Sequence, residues 1–240
     1  TGTAVGSDYD PMMSKVIVHA GTRAQALAGL DRALAGTAVL GVQTNVAFLR
    51  HLLADEDVRA GRLDTALLDR IAAEYQPPPV PDTAFLAAAA HLWRQRWQAA
   101  DPADVWGRPD GWRIGDHAPS VFRLSGRDRA VRIALSGTPD DLSATVDDGP
   151  ARRMTVDGTA MTVDGLRRTC SVVDSADVLW VHADGETYPI RLMPEQRRRT
   201  DTHSDASDVI TSPMPGAVVA VLVEDGQPAQ RGTPVLAVEA

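Results

Sequence analysis

Apolar positions along this chain follow two different periods, and the change from one to the other divides it. Up to about residue 75 the pattern is mixed. Val16-Ile17-Val18 reads as a short apolar strand. Thr22-Arg23-Ala24-Gln25 fits a capping box, in which hydroxyl and amide satisfy free backbone donors at a helix start. Leu27, Leu30 and Leu34 follow on one helical face, and Gly36 supplies a stop. Thr44-Asn45 starts a second helix carrying Phe48, Leu49, Leu52 and Leu53, and Asp64-Thr65 a third with Leu67, Leu68 and Ile71. Gln76 to Pro81, with four prolines at 77, 78, 79 and 81, cannot be helix and is expected to be a stiff extended linker.

Beyond it, Asp82-Thr83 is expected to cap a helix over 84–100. Its apolar residues, Phe85, Leu86, Ala87 to Ala90, Leu92, Trp93 and Trp97, cover most of the circumference. A helix apolar nearly all round is a buried one. After Pro102 the period falls to two. Asp-Gly pairs at 110–111, 148–149, 157–158, 164–165 and 184–185 mark hairpin turns. The strands read between them are 121–124, 131–135, 154–156, 160–163, 169–173, 178–181 and 188–192. Strands at this spacing predict a meandering antiparallel barrel or a sandwich. A barrel placed around the Ala/Trp helix accounts for that helix being apolar nearly all round, apart from an Arg94-Gln95-Arg96 side near its end.

From Glu195 to Asp208 the residues are polar, Arg197-Arg198-Arg199 among them, and predict a flexible tether with solvated charge. Pattern returns at Pro213-Met214-Pro215-Gly216. Val219, Val221 and Val223 alternate, a turn is expected at Glu224-Asp225-Gly226, and Val235 to Val238 reads as a strand without a partner.

Composition narrows the classes. The chain has 240 residues, room for one to two domains, and its 44% hydrophobic content is that of a globular protein. No apolar run approaches the roughly 20 residues of a membrane span. A net charge of −8 argues against nucleic-acid binding. The single cysteine, Cys170, excludes internal disulfides and is compatible with a reducing cytoplasm. Thr1-Gly2-Thr3-Ala4-Val5, without initiator Met or leader, and the abrupt end at Ala240 read as cuts inside a longer protein.

The segment Pro213 to Ala240 resembles the first half of a biotin carboxyl carrier domain, in which Glu-Ala precedes Met-Lys-Met and the lysine carries biotin. Here Glu239-Ala240 is the hairpin flank, and Pro215, Gly216, Gly226 and Gly232 shape the turns. Lys15 is the only lysine, so the attachment site is expected just beyond Ala240. Asp8-Tyr9-Asp10-Pro11-Met12-Met13-Ser14-Lys15 and Gly41-Val42-Gln43-Thr44-Asn45 resemble two stretches in the last subdomain of biotin carboxylase. Asp104-Val105-Trp106 with Asp110-Gly111-Trp112-Arg113 resembles the start of the interaction (BT) domain between carboxylase and carrier. In order, these are similar to the biotinylated alpha subunit of acyl-CoA carboxylases of the propionyl-CoA or 3-methylcrotonyl-CoA type.

The resemblance implies an α+β, multi-domain chain. Residues 1–75 would end an ATP-grasp-type carboxylase domain, 76–81 form the Pro-rich linker, and 82–195 an antiparallel barrel around a central helix. Residues 196–208 would be a flexible linker and 209–240 half of a flattened-barrel carrier domain. It also implies a ligase that carboxylates biotin with ATP and bicarbonate and hands carboxybiotin to a carboxyltransferase (beta) subunit, which acts on acyl-CoA. ATP with Mg or Mn would bind upstream of these residues. Biotin protein ligase and a large hetero-oligomer are the further partners; nucleic acid and membrane are not expected. The cytoplasm is favoured over the mitochondrial matrix. The alternative is a non-enzymatic lipoyl-type carrier fused to an assembly domain, which Asp-Lys after position 240 would mark.

No phosphate-binding glycine loop or paired carboxylate beside an arginine stands in these residues, so no catalytic residue is assigned and the chain alone is expected to be inactive. Lys15 suits ion pairing or packing. Asp8 and Asp10 suit a strand–helix turn, and Cys170 suits a core position. His19, His51, His91, His117, His182 and His203 include no closely spaced pair, and no metal site is expected. Trp106, Arg108 and Trp112, in the loop after the helix, are the candidate subunit interface, with burial of the tryptophans in the core as the other reading.

Overall fold

The computed structural model describes residues 12–101, 103–104, 106–139, 141–194, 216–228 and 233–239. They fall in two compact units, Thr1–Glu195 and Gln196–Ala240.

The first unit begins with four helices: α1 (Arg23–Ala35), α2 (Val46–Ala54), α3 (Glu56–Ala60) and α4 (Leu67–Glu74). Thr22 caps α1, its hydroxyl accepting from Gln25 N–H at 3.3 Å. Asn45 stands at the N-cap of α2 without a side-chain cap bond. The sequence reading has no α3, which Asp55 caps through Asp57 and Val58 N–H and Gly61 ends at φ +75°. In α4, Leu67 and Ile71 are buried, whereas Leu68 faces outward. Val16–Val18 is not a strand. It has no ladder neighbour among the described residues, and Val18 instead packs over Gly29 of α1 while Ile17 points outward.

The linker 76–81 leads into α5 (Asp82–Ala99). Asp82 and Thr83 do not cap it as expected; Pro81 occupies the N-cap and both acidic and hydroxyl side chains reach away from the helix. Asp82 pairs with Arg129, and the Thr83 hydroxyl donates to Asp184 at 2.5 Å. Around α5 runs a closed antiparallel meander of β1 (Ser120–Ser125), β2 (Ala130–Thr138), β3 (Asp141–Val146), β4 (Arg152–Asp157), β5 (Ala160–Val163), β6 (Leu166–Ser175), β7 (Val178–Ala183) and β8 (Glu186–Leu192). Leu124↔Leu192 and Ser125↔Arg191 join the first strand to the last. The sandwich alternative is therefore excluded, because closure leaves no second sheet.

Alternation puts Phe122, Leu124, Ile133, Leu135, Leu142, Met154, Met161, Val181 and Ile190 inside, against Ala84 to Ala90 and Trp93. An eight-stranded barrel has an interior just wide enough to be filled by side chains. A full helix enters such a space only if its own side chains are short, which is what the alanine run provides. Asp164-Gly165 and Asp184-Gly185 have positive φ at both residues, +50°/+82° and +54°/+83°, as two-residue turns matched to strand twist require. Asp157-Gly158 joins β4 to β5, while Asp148-Gly149 sits in the longer β3–β4 loop. Asp110-Gly111 joins no named strands; it precedes an isolated bridge, Trp112↔His117. Strand β3 went unread because its inward residues include the small Ala144 among Ser143 and Thr145.

In the second unit β9 (Ala217–Val221) pairs antiparallel with β10 (Leu236–Glu239). The expectation of an unpartnered C-terminal strand is thus corrected: Glu239 faces Ala217 and Leu236 faces Val221. Gly226, at φ +82°, sits inside the turn expected at residues 224–226, which Gln227 N–H closes on the Glu224 carbonyl at 3.0 Å. Val218, Val219 and Val221 are all exposed among the described residues, so the alternation there does not yet bury a face. Val223 lies beyond the end of β9.

Candidate docking surface

The loop between α5 and β1 gathers three large side chains in water. Trp106 is 84% exposed, Trp112 50% and Ile114 95%. The two indoles meet edge to face, 5.9 Å between centroids, an arrangement favoured by the ring quadrupole. Core burial of the tryptophans is excluded.

Short carboxylates hold the loop in shape. Asp104 accepts from Trp106 N–H and Asp110 from Trp112 N–H, each at 3.0 Å, the turn-forming habit of Asp. Ala118 N–H donates to the Gly111 carbonyl at 2.7 Å, and Arg113 N–H to that of Asp116 at 3.0 Å. Gly111, at φ +76°, lies so close to Ala118 that a Cβ would overlap its carbonyl oxygen. The Trp112–His117 hairpin therefore closes tightly, with Ile114 at its tip. Arg108 lies over the indole of Trp97, 5.9 Å from its centroid, and Arg96 over Phe122 at 4.4 Å. The first contact anchors the loop on the end of α5, and the second ties α5 to β1.

The structure thus brings Trp106, Arg108 and Trp112 onto one loop, and adds Ile114, which sequence reasoning passed over. Its signal was an isolated apolar residue between Arg113 and Gly115, with no alternating neighbour to pair it with a core. Glu239 ends β10 and is exposed; Gly216, the first described residue of the second unit, lies so near Glu239 that a Cβ would overlap its carbonyl oxygen. Pro215, Gly232 and Ala240 lie outside the described residues, as do Asp8, Asp10, His203 and the tether of 196–208.

Catalytic alternatives fare worse. Cys170 is buried, and burial pushes its thiol up to about 11, so it is protonated near neutrality and a poor nucleophile. His91 Nε2 lies 3.1 Å from Asp174, but Gln95 donates to the same carboxylate oxygen at 2.5 Å and completes a polar cluster on the flank of α5. Lys15 is exposed, beside an open groove of about 870 Å³ that Leu30, Leu34 and Leu49 line. Among the described residues no three His, Cys, Asp or Glu side chains gather around a possible metal position, and no helix is long and apolar enough to cross a membrane.

Two family models match the chain. Residues 81–195 match the methylcrotonyl-CoA carboxylase alpha-subunit BT domain, and residues 1–70 the biotin carboxylase C-terminal domain. Whole-chain relatives include the mitochondrial methylcrotonoyl-CoA carboxylase subunit alpha of Dictyostelium discoideum, 24% identical, and the propionyl-CoA carboxylase alpha chain of Ruegeria pomeroyi, 29% identical. In both, 100% of this chain aligns with 37% of the relative, so the chain spans little more than a third of their length. A putative urea carboxylase of Emericella nidulans is 40% identical over 138 residues, 58% of this chain and 10% of that protein. The barrel thus matches the BT domain, the preceding helices match the biotin carboxylase C-terminal domain, and over its whole length the chain is similar to alpha subunits of methylcrotonoyl-CoA and propionyl-CoA carboxylases.

Proposed function

We propose that the barrel domain docks an acyl-CoA carboxylase alpha subunit onto its carboxyltransferase partner, and that the loop of Trp106, Arg108, Trp112 and Ile114 is the contact. The observation that carries this reading is the exposure of three large apolar side chains on a loop braced by hydrogen bonds. Aromatic and Arg anchors on a preorganised loop lose little entropy on binding and are the residue types that dominate interfaces.

In this reading the helical segment of residues 12–75 closes a biotin carboxylase domain whose ATP and metal site lies upstream. The β9–β10 unit is the first half of the carrier domain, reached through the tether 196–208. Biotin, when attached, supplies the carrier for the carboxyl group. No lysine lies in residues 16–240, so the β9–β10 unit offers no attachment point and residues 1–240 alone neither take up biotin nor hydrolyse ATP. The propionyl-CoA and methylcrotonyl-CoA types share the docking chemistry, and the choice of acyl-CoA is made on the partner. The cytoplasm is the proposed location.

Co-purification tests the assignment. In the full-length alpha subunit, Trp106→Ala with Arg108→Ala should abolish co-elution with the carboxyltransferase subunit while biotin carboxylation continues. Ile114→Asp, which places a charge at the loop tip, should do the same. Normal assembly of both variants moves the contact to another surface. Normal assembly after deletion of residues 80–195 removes the docking role altogether.

A further inference from the structure

Helix α1 ends against the barrel. The last four carbonyls of a helix have no partner within it. That of Arg32 is taken up by Gly36 N–H at 3.0 Å and that of Ala33 by the Thr37 hydroxyl at 2.8 Å. The carbonyl of Ala35 is satisfied from far along the chain, by Nε2 of His182 on β7 at 3.0 Å. A carbonyl oxygen only accepts, so Nε2 carries the proton, and Nδ1 faces the Thr187 hydroxyl at 3.2 Å. His182 is one of two buried polar side chains among the described residues, and the contact shields it.

Arg50 makes a second crossing beside it. Its Nε donates to Asp31 on α1 at 2.8 Å, and its Nη1 to the Gly185 carbonyl in the β7–β8 turn at 3.1 Å. The same turn is gripped from the barrel side, where Asp184 accepts from Thr83 on α5 and from Arg168 on β6. Gly185 is seated so closely that a Cβ would lie 2.7 Å from Arg50 Nη1 and 3.0 Å from the Ala35 Cβ. One two-residue turn thus touches α1, α2, α5 and β6.

We propose that Arg50, His182 and the Asp184-Gly185 turn form a joint that fixes the orientation of the helical segment on the barrel. Around them the contact mixes charged and apolar groups: Asp31, Arg50 and Glu186 line an open cleft of about 700 Å³ together with Leu27, Leu53 and Tyr75. Apolar contact tolerates sliding, whereas a planar guanidinium held at two acceptors on different elements resists rotation about either. Residues 76–81 then act as a strap, and the joint sets the angle. Nothing in this depends on the docking reading, and its test needs no partner subunit.

The test is a distance measured within the 240-residue chain. Spin labels are placed through Glu56→Cys on α3 and Asp148→Cys in the β3–β4 loop, both exposed positions. Cys170 stays unlabelled because its thiol is buried and protonated. Pulsed electron resonance should give one narrow distance distribution. Arg50→Ala should at least double its width while the thermal transition of the barrel stays in place. Gly185→Ala, which wedges the turn from the other side, should reproduce the broadening. A distribution as narrow in both variants as in the unsubstituted chain overturns the proposal. Broadening together with loss of the barrel transition overturns it as well, since Arg50 would then hold the barrel itself together.

Discussion

The guanidinium of Arg108 lies over the indole of Trp97, its carbon 5.9 Å from the ring centroid, and ties the loop that carries Trp106 and Trp112 to the end of the barrel's central helix. The pair is half in water, where a cation–π contact contributes roughly 0.5–1 kcal/mol. Its value is therefore in aiming the loop more than in stabilising the domain. Arg108→Ala should lower the unfolding free energy by no more than about 1 kcal/mol in urea, yet weaken partner binding clearly. A larger stability loss with intact binding would reverse these roles.

Gly111→Ala should act on the loop by a different route. The new methyl overlaps the Ala118 carbonyl oxygen in a backbone at φ +76°, so the Trp112–His117 hairpin must open. Expected are a changed tryptophan near-ultraviolet circular dichroism and lost partner binding, with the barrel's melting temperature within a few degrees of the parent. An unchanged spectrum would show that the hairpin tolerates the methyl.

Trp93 is 1% exposed inside the barrel, and its indole N–H finds no hydrogen-bond partner among the described residues. Trp93→Ala leaves a large cavity and should cost about 3–5 kcal/mol. Trp93→Phe keeps much of the packing and removes the unsatisfied donor, so it should cost less than half as much. Equal losses in chemical denaturation would mean that the N–H is well satisfied by water.

Burial holds the Glu186 carboxyl above its ordinary 4.5, against the opposing pull of Arg50 and Arg127. A carboxyl with a raised value binds its proton more tightly in the folded chain than in the unfolded one. Its contribution is therefore most favourable at low pH and is lost as pH rises from 4.5 through the folded value. Glu186→Gln removes that loss. The variant should match the parent in melting temperature at about pH 4 and exceed it at about pH 7. A difference that stays constant across this range would contradict the assignment.

Local pattern by itself determined the elements whose environment repeats along the chain. The alanine run and the tryptophans of α5 announced a helix buried over most of its length, since residues 84–93 leave no polar stripe wide enough to face water. Seven of the eight barrel strands were legible because inward and outward residues alternate, and the Asp-Gly turns carry their own backbone requirement. Closure of β1 on β8, the pairing of β10 with β9 and the exposure of Trp106 and Trp112 were decided by tertiary structure. The contacts of His182 with Ala35 and of Arg50 with Gly185 join residues 147 and 135 positions apart, beyond any local period. Periodicity reports which face of an element is apolar. What covers that face, or leaves it open as at Ile114, depends on chain that arrives from elsewhere in the fold.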